Sequence, residues 1–138
     1  MDILGSNGLS KKLFLTFDID WAVDEVLEHT HKILVDSDVK STIFVTHNSP
    51  YIKVLGNDKN VELGIHPNFI PLLNSTSEGE GYPHIIDKLL AIVPNAISFR
   101  SHALVQSSHL STYLSRYMKY DLNSYIPQDS GMILKPSN

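Results

Sequence analysis

The chain has no cysteine, which excludes a disulfide framework, a thiolate metal site and a cysteine nucleophile. Long apolar runs are also missing. No stretch approaches the ~18–20 residues of a membrane span, and polar residues 1–12 carry no signal-peptide core. Basic residues are in deficit, with 11 Lys and Arg against 15 Asp and Glu and a net charge of −4. A fold-wide cationic face for nucleic acid is thereby excluded. These absences lead to the expectation of one cytoplasmic domain over 1–138, loosely packed at 1–11 and ragged at 128–138. What is present is a 42% hydrophobic content sufficient for a core, and seven His against one Trp.

Short apolar runs alternate with helical patterns. Residues 12–18 (KLFLTFD), 41–46 (STIFVT), 61–65 (VELGI), 96–100 (AISFR) and 120–126 read as strands. Helices are expected at 22–36, 50–55, 83–93 and 108–117. In the first, Val23, Val26, Leu27, Thr30 and Leu34 fall at helical spacing, and Pro83 suits the first turn of the third. Residues 74–82 (NSTSEGEGY) have loop chemistry. Alternation of this kind argues for an α/β fold with a parallel sheet and crossover helices, either doubly wound or a β/α barrel.

In parallel α/β folds, chemistry gathers at the carboxyl ends of the strands. Here those ends carry Asp18 and Asp20, then His47, then His66 and Asn68, then Arg100 and His102. Two imidazoles and a carboxylate make a facial metal site with open positions. A second carboxylate beside the metal can take a proton from water, and Arg100 can orient that carboxylate. Asp18 and Asp20 point the same way if extended geometry persists through residue 20; capping of the following helix is their structural alternative. His47 and Asn68 are candidates to face substrate or support the site, Asn68 with the alternative of turning the chain after Pro67. His29, His31, His84 and His109 are expected at the surface. Tyr113, Tyr117 and Tyr120 are expected to pack as an ordinary amphipathic face.

Several of these runs resemble one family. LTFDID at 15–20 resembles the first motif of the polysaccharide deacetylases (NodB-homology, carbohydrate esterase 4). STIFV at 41–45 resembles its second strand, ELGIH at 62–66 its H-E-x-G-x-H motif, and Phe99-Arg100-Ser101 its third motif. THNSP, ELGIHPNF and RSHALVQSS are most similar to the subgroup tied to O-antigen and surface-polysaccharide biosynthesis. The resemblance implies a distorted barrel of about seven β/α units, of which about five fit here, so that the chain reads as an incomplete barrel. It implies hydrolysis of acetyl groups on sugars with a divalent metal, Asp18 as catalytic base, Arg100 as its orienting partner, and Asp20 and His66 as metal ligands.

The family's motif carries a further His four residues after the first, where this chain has Ile70. His102 is the inferred replacement and His47 the alternative. The expected metal is zinc, with cobalt, nickel, iron or manganese as substitutes, and the expected partner a saccharide or nucleotide sugar. A homo-oligomer, or a missing C-terminal segment, would cover an open sheet edge. Two other readings fit the same residues: a non-catalytic saccharide-binding or assembly protein with a degenerate site, and an amide hydrolase acting on a non-sugar substrate.

Overall fold

The computed structural model describes residues 14–74 and 81–124. The elements run β1 (Leu15–Asp18), α1 (Asp24–Asp36), β2 (Ser41–Val45), α2 (Pro50–Gly56), β3 (Val61–Ile65), α3 (Ile70–Leu73), α4 (Tyr82–Ile92), β4 (Ser98–Phe99), a 3-10 turn (His102–Leu104), α5 (Ser108–Leu114) and β5 (Tyr120–Asp121). The strands pair in parallel in the order β1-β2-β3-β4-β5. A sequential order means the sheet never reverses direction. With right-handed crossovers every helix then falls on one face, which is the winding of a barrel segment and not of a doubly wound sheet. The expected α/β alternation stands, with α3 and the 3-10 turn added. The expected ends at 1–11 and 128–138, most of the 74–82 loop and residues 125–126 of the fifth strand lie outside the described residues. No helix among the described residues is long and apolar enough to cross a membrane.

Alternation along each strand separates two environments. Ile43, Val45, Ile65 and Phe99 face the helices and join Leu27, Leu34, Ile52, Leu55, Ile86, Leu89, Leu110 and Leu114 in the buried core. The opposite face is polar. On β1 it carries Thr16 and Asp18, both bonded to Arg100; on β3 it carries Glu62, which accepts a bond from Ser98. Phe44 lies between them, fully buried. Its register partner on β3 is Gly64, and a Cβ there would sit 2.6 Å from two Phe44 ring carbons and 2.7 Å from Ser98 Oγ. Only glycine lets the ring lie flat against β3.

Two local expectations are corrected. The buried stripe of α1 is Leu27, His31 and Leu34, whereas Val23 and Val26 are exposed. His31 is therefore not a surface residue. Its Nδ1 lies 3.1 Å from Tyr51 Oη on α2 and its Nε2 2.9 Å from Asp58 Oδ2. A half-polar ring can occupy a core position when both nitrogens are partnered, and a hydropathy pattern scores such a ring as exposed.

The Asp58 carboxyl is held below its ordinary pKa, first by the backbone N–H of Asn60 and then by His31. A depressed carboxyl contributes stability above its unfolded pKa and loses it as pH falls through the lower folded value. Melting temperature should therefore drop as pH falls below about 4, and it should drop less over that window in Asp58→Asn. Equal acid sensitivity of the two proteins in a pH series of thermal melts would exclude the contribution.

Candidate metal centre

β1 stops at Asp18 because the chain turns there. Ile19 buries its side chain and donates its N–H to Phe44 O, and Ala22 N–H closes back on Ile19 O at 2.7 Å. Asp20 and Trp21 adopt positive φ, 39° and 61°, so extended geometry does not persist. The two aspartates reach the centre by different routes, Asp18 from the strand and Asp20 from the turn. Neither caps α1, whose N-cap is Val23 without a side-chain bond.

Arg100 follows β4 and crosses the polar face to β1. Its Nη1 lies 3.1 and 3.3 Å from the two oxygens of Asp18. Its Nη2 donates to Thr16 Oγ1 at 2.7 Å, its Nε to Leu122 O at 3.4 Å, and its guanidinium sits 4.9 Å from the Phe44 ring centroid. Every edge of the fork is engaged, so Arg100 fixes the carboxylate and does not merely neutralise it.

His66 follows β3 and is buried at 3% exposure. Its Nδ1 bonds the Arg100 carbonyl. A carbonyl oxygen only accepts, so Nδ1 carries the proton and Nε2 of the neutral ring presents a lone pair. That lone pair faces Asp20 Oδ1 at 3.3 Å, and the same oxygen lies 3.1 Å from His102 Nδ1. In the neutral ring these two acceptors face one another across a gap that suits a cation, a proton or a metal ion. Asp20, His66 and His102 offer ligand atoms within 4.8 Å of one another. Separations near 3.3 Å are those of a tetrahedral site with bonds of roughly 2.0–2.1 Å. A backbone carbonyl fixing the far nitrogen is the usual support of a ligating His. The residues present therefore fit a metal ion.

Among the described residues it is His102, not His47, that completes this group. His47 Nδ1 pairs with Thr46 Oγ1 at 2.9 Å. Asn68 uses Oδ1 to accept the Ile70 N–H at 3.0 Å, the turn that starts α3, and Ile70 opens that helix where the family motif carries its His. His29, His84 and His109 are exposed. Tyr113 packs against Tyr82 at 5.3 Å between ring centroids, as expected, while Tyr117 and Tyr120 are exposed.

Sequence reasoning missed three supports. Thr16 anchors Arg100; its place two residues before Asp18, on the same strand face, was a usable signal. Ser101 and Asn123 are both buried, and Asn123 Oδ1 accepts the Ser101 N–H at 2.8 Å, tying the loop after β5 to the residue before His102. No local pattern reveals that pairing. The centre opens into a cavity of about 450 Å³ walled by Asp18, Asp20, His66, Arg100, His102 and Leu104.

Residues 15–138 match the family described as WbmS-like polysaccharide deacetylase. Among solved structures, the chain is similar to WbmS from Bordetella bronchiseptica, described as a candidate polysaccharide deacetylase involved in O-antigen biosynthesis. The two are 41% identical with a TM-score of 0.79, over 88% of this chain and 50% of that one. This chain thus spans about half the length of the structure it matches, and its five strands correspond to part of that barrel. A comparison with curated proteins finds no match. The strand-end residues, the sequential parallel sheet and these matches agree: the chain belongs to the WbmS-like polysaccharide deacetylase family.

Proposed function

We propose that this centre is that of a metal-dependent hydrolase removing an acetyl group from an acetylated or acetamido saccharide, free or nucleotide-linked, in the cytoplasm. The observation that carries the reading is the lone-pair arrangement of His66 Nε2 and Asp20 Oδ1, with the Asp18 carboxylate held beside it, 3.7 Å from His66 Nδ1. Asp20, His66 and His102 would hold a divalent transition metal, zinc by preference for nitrogen and oxygen donors in this geometry. When bound, such an ion supplies Lewis-acid chemistry, polarising a carbonyl and lowering the pKa of water.

The protein's own groups do the rest. Asp18 is aimed by Arg100 and takes the proton of the attacking water as general base. Both its oxygens face Nη1, at 3.1 and 3.3 Å, and the carboxylate still has lone pairs with which to take that proton and pass it to the departing amine or alcohol. Arg100 keeps its charge throughout and holds the carboxylate in place. The His66 Nδ1–H stays on the Arg100 carbonyl, which fixes the ring so that it cannot swing away. Thr16 and Phe44 fix the arginine from below.

The test is acetate release from N-acetylglucosamine tetrasaccharide and from a UDP-linked acetamido sugar. Zinc-loaded protein should release acetate, and protein stripped with a chelator should not until zinc is restored. Release at full rate by stripped protein would remove the reading.

A further inference from the structure

Five non-glycine residues among those described have positive φ: Asp20, Trp21, Asp38, Ala103 and Leu104. Four of them, all but Asp38, border the metal centre. For tryptophan and leucine this backbone region is disfavoured, and such conformations persist where surrounding structure imposes them, commonly at ligand sites. The imposed result here is unusual. Trp21 is 48% exposed and Leu104 44%, so two large apolar side chains are turned outward where burial would stabilise them.

Trp21 is also held in place. Its backbone N–H donates to Thr46 Oγ1 at 3.1 Å, and its ring meets the ring of His102 edge-on, 5.2 Å between centroids at 68°. The indole therefore stands against His102, one of the residues that line the cavity, as Leu104 and Ala103 do. The centre is polar at its base and apolar at its lip. A pyranose has the matching profile, with polar edges and a face of C–H groups that packs on an aromatic surface.

We propose that Trp21, with Leu104, forms a subsite that takes the apolar face of a sugar ring and sets its acetyl group over Asp18 and the His66–Asp20 pair. The subsite rests on the deacetylase reading for its position in the reaction, but not for its ability to bind sugar. Trp21 acts by binding and positioning: it touches the ring and moves no proton.

The chain has one tryptophan and six tyrosines, so indole emission, excited at the red edge where tyrosine does not absorb, reports this subsite alone. Titration of the whole chain with N-acetylglucosamine tetrasaccharide should shift or quench that emission saturably, with or without zinc. Trp21→Ala should raise KM for the tetrasaccharide about 3- to 10-fold while kcat and bound zinc change less than about twofold, and Trp21→Phe should restore most of the affinity. Turnover without any fluorescence response at saturating sugar would overturn the subsite and leave the deacetylase standing. A saturable response without turnover would keep the subsite and overturn the deacetylase. An unchanged KM in Trp21→Ala would also overturn the subsite, and silence in both assays would overturn both.

Discussion

Asp18→Asn is expected to reduce acetate release by roughly 10²–10⁴-fold, the usual contribution of a positioned general base, while bound zinc stays near one equivalent. The amide is the same size as the carboxylate and can still accept from Arg100 Nη1, now 3.1 Å from Oδ1. Geometry should survive and only basicity is lost. Asp18 also sits outside the group formed by Asp20, His66 and His102, so metal content and turnover should separate in this variant. The measurements are initial rates of acetate release and elemental analysis of the same preparation. Parental turnover by Asp18→Asn would mean that another group takes the proton. Loss of metal together with activity would place Asp18 among the ligands.

His66→Ala should lose zinc outright, with affinity lower by more than about a hundredfold, since disturbing even the outer partners of a ligand commonly costs 10–100-fold. His66 brings two requirements together. Its Nδ1–H satisfies the Arg100 carbonyl, and its Nε2 supplies a lone pair toward Asp20. Truncation removes both and leaves a part-buried carbonyl without its donor, a destabilisation of about 1 kcal/mol. Circular dichroism on the same sample shows whether the chain still folds. His102→Ala provides an independent route, because that side chain is 29% exposed and its loss opens no cavity in the core. Folded His66→Ala or His102→Ala protein that keeps a full equivalent of zinc would show that the three residues do not hold the ion.

Much of the site was legible because strand-end position is a local property. Once the runs ending at Asp18, Val45, Ile65 and Phe99 are recognised as parallel strands, Asp18, His66, Arg100 and His102 necessarily arrive at one rim. Motif resemblance assigned roles to the same residues without any coordinates. Other features depend on contacts between residues far apart in sequence. His31 looked like a surface residue because its partners, Tyr51 and Asp58, come from another helix and another loop. Val23 and Val26 looked like core because spacing gives the apolar stripe of a helix but not which edge of that stripe meets the sheet. Asp20 would point with Asp18 only if extended geometry persisted through residue 20, and the turn from Ile19 to Ala22 shows that it does not.

By itself, then, the sequence determined the α/β alternation, the family and the set of titratable side chains delivered to one end of the sheet. These follow from residue types and short-range periodicity, which survive in any single chain read from end to end. The tertiary structure decided the rest: the sequential strand order, the polar face on which Arg100 spans from β4 to β1, the choice of His102 over His47 beside Asp20, and the tautomer of His66. Each depends on contacts between groups far apart in the chain, 34 residues for His66 with Arg100 and 82 for Arg100 with Asp18 and for His102 with Asp20. No local pattern encodes such a contact, because it is set only when the core under α1, α2 and α4 fixes how the strands lie against one another.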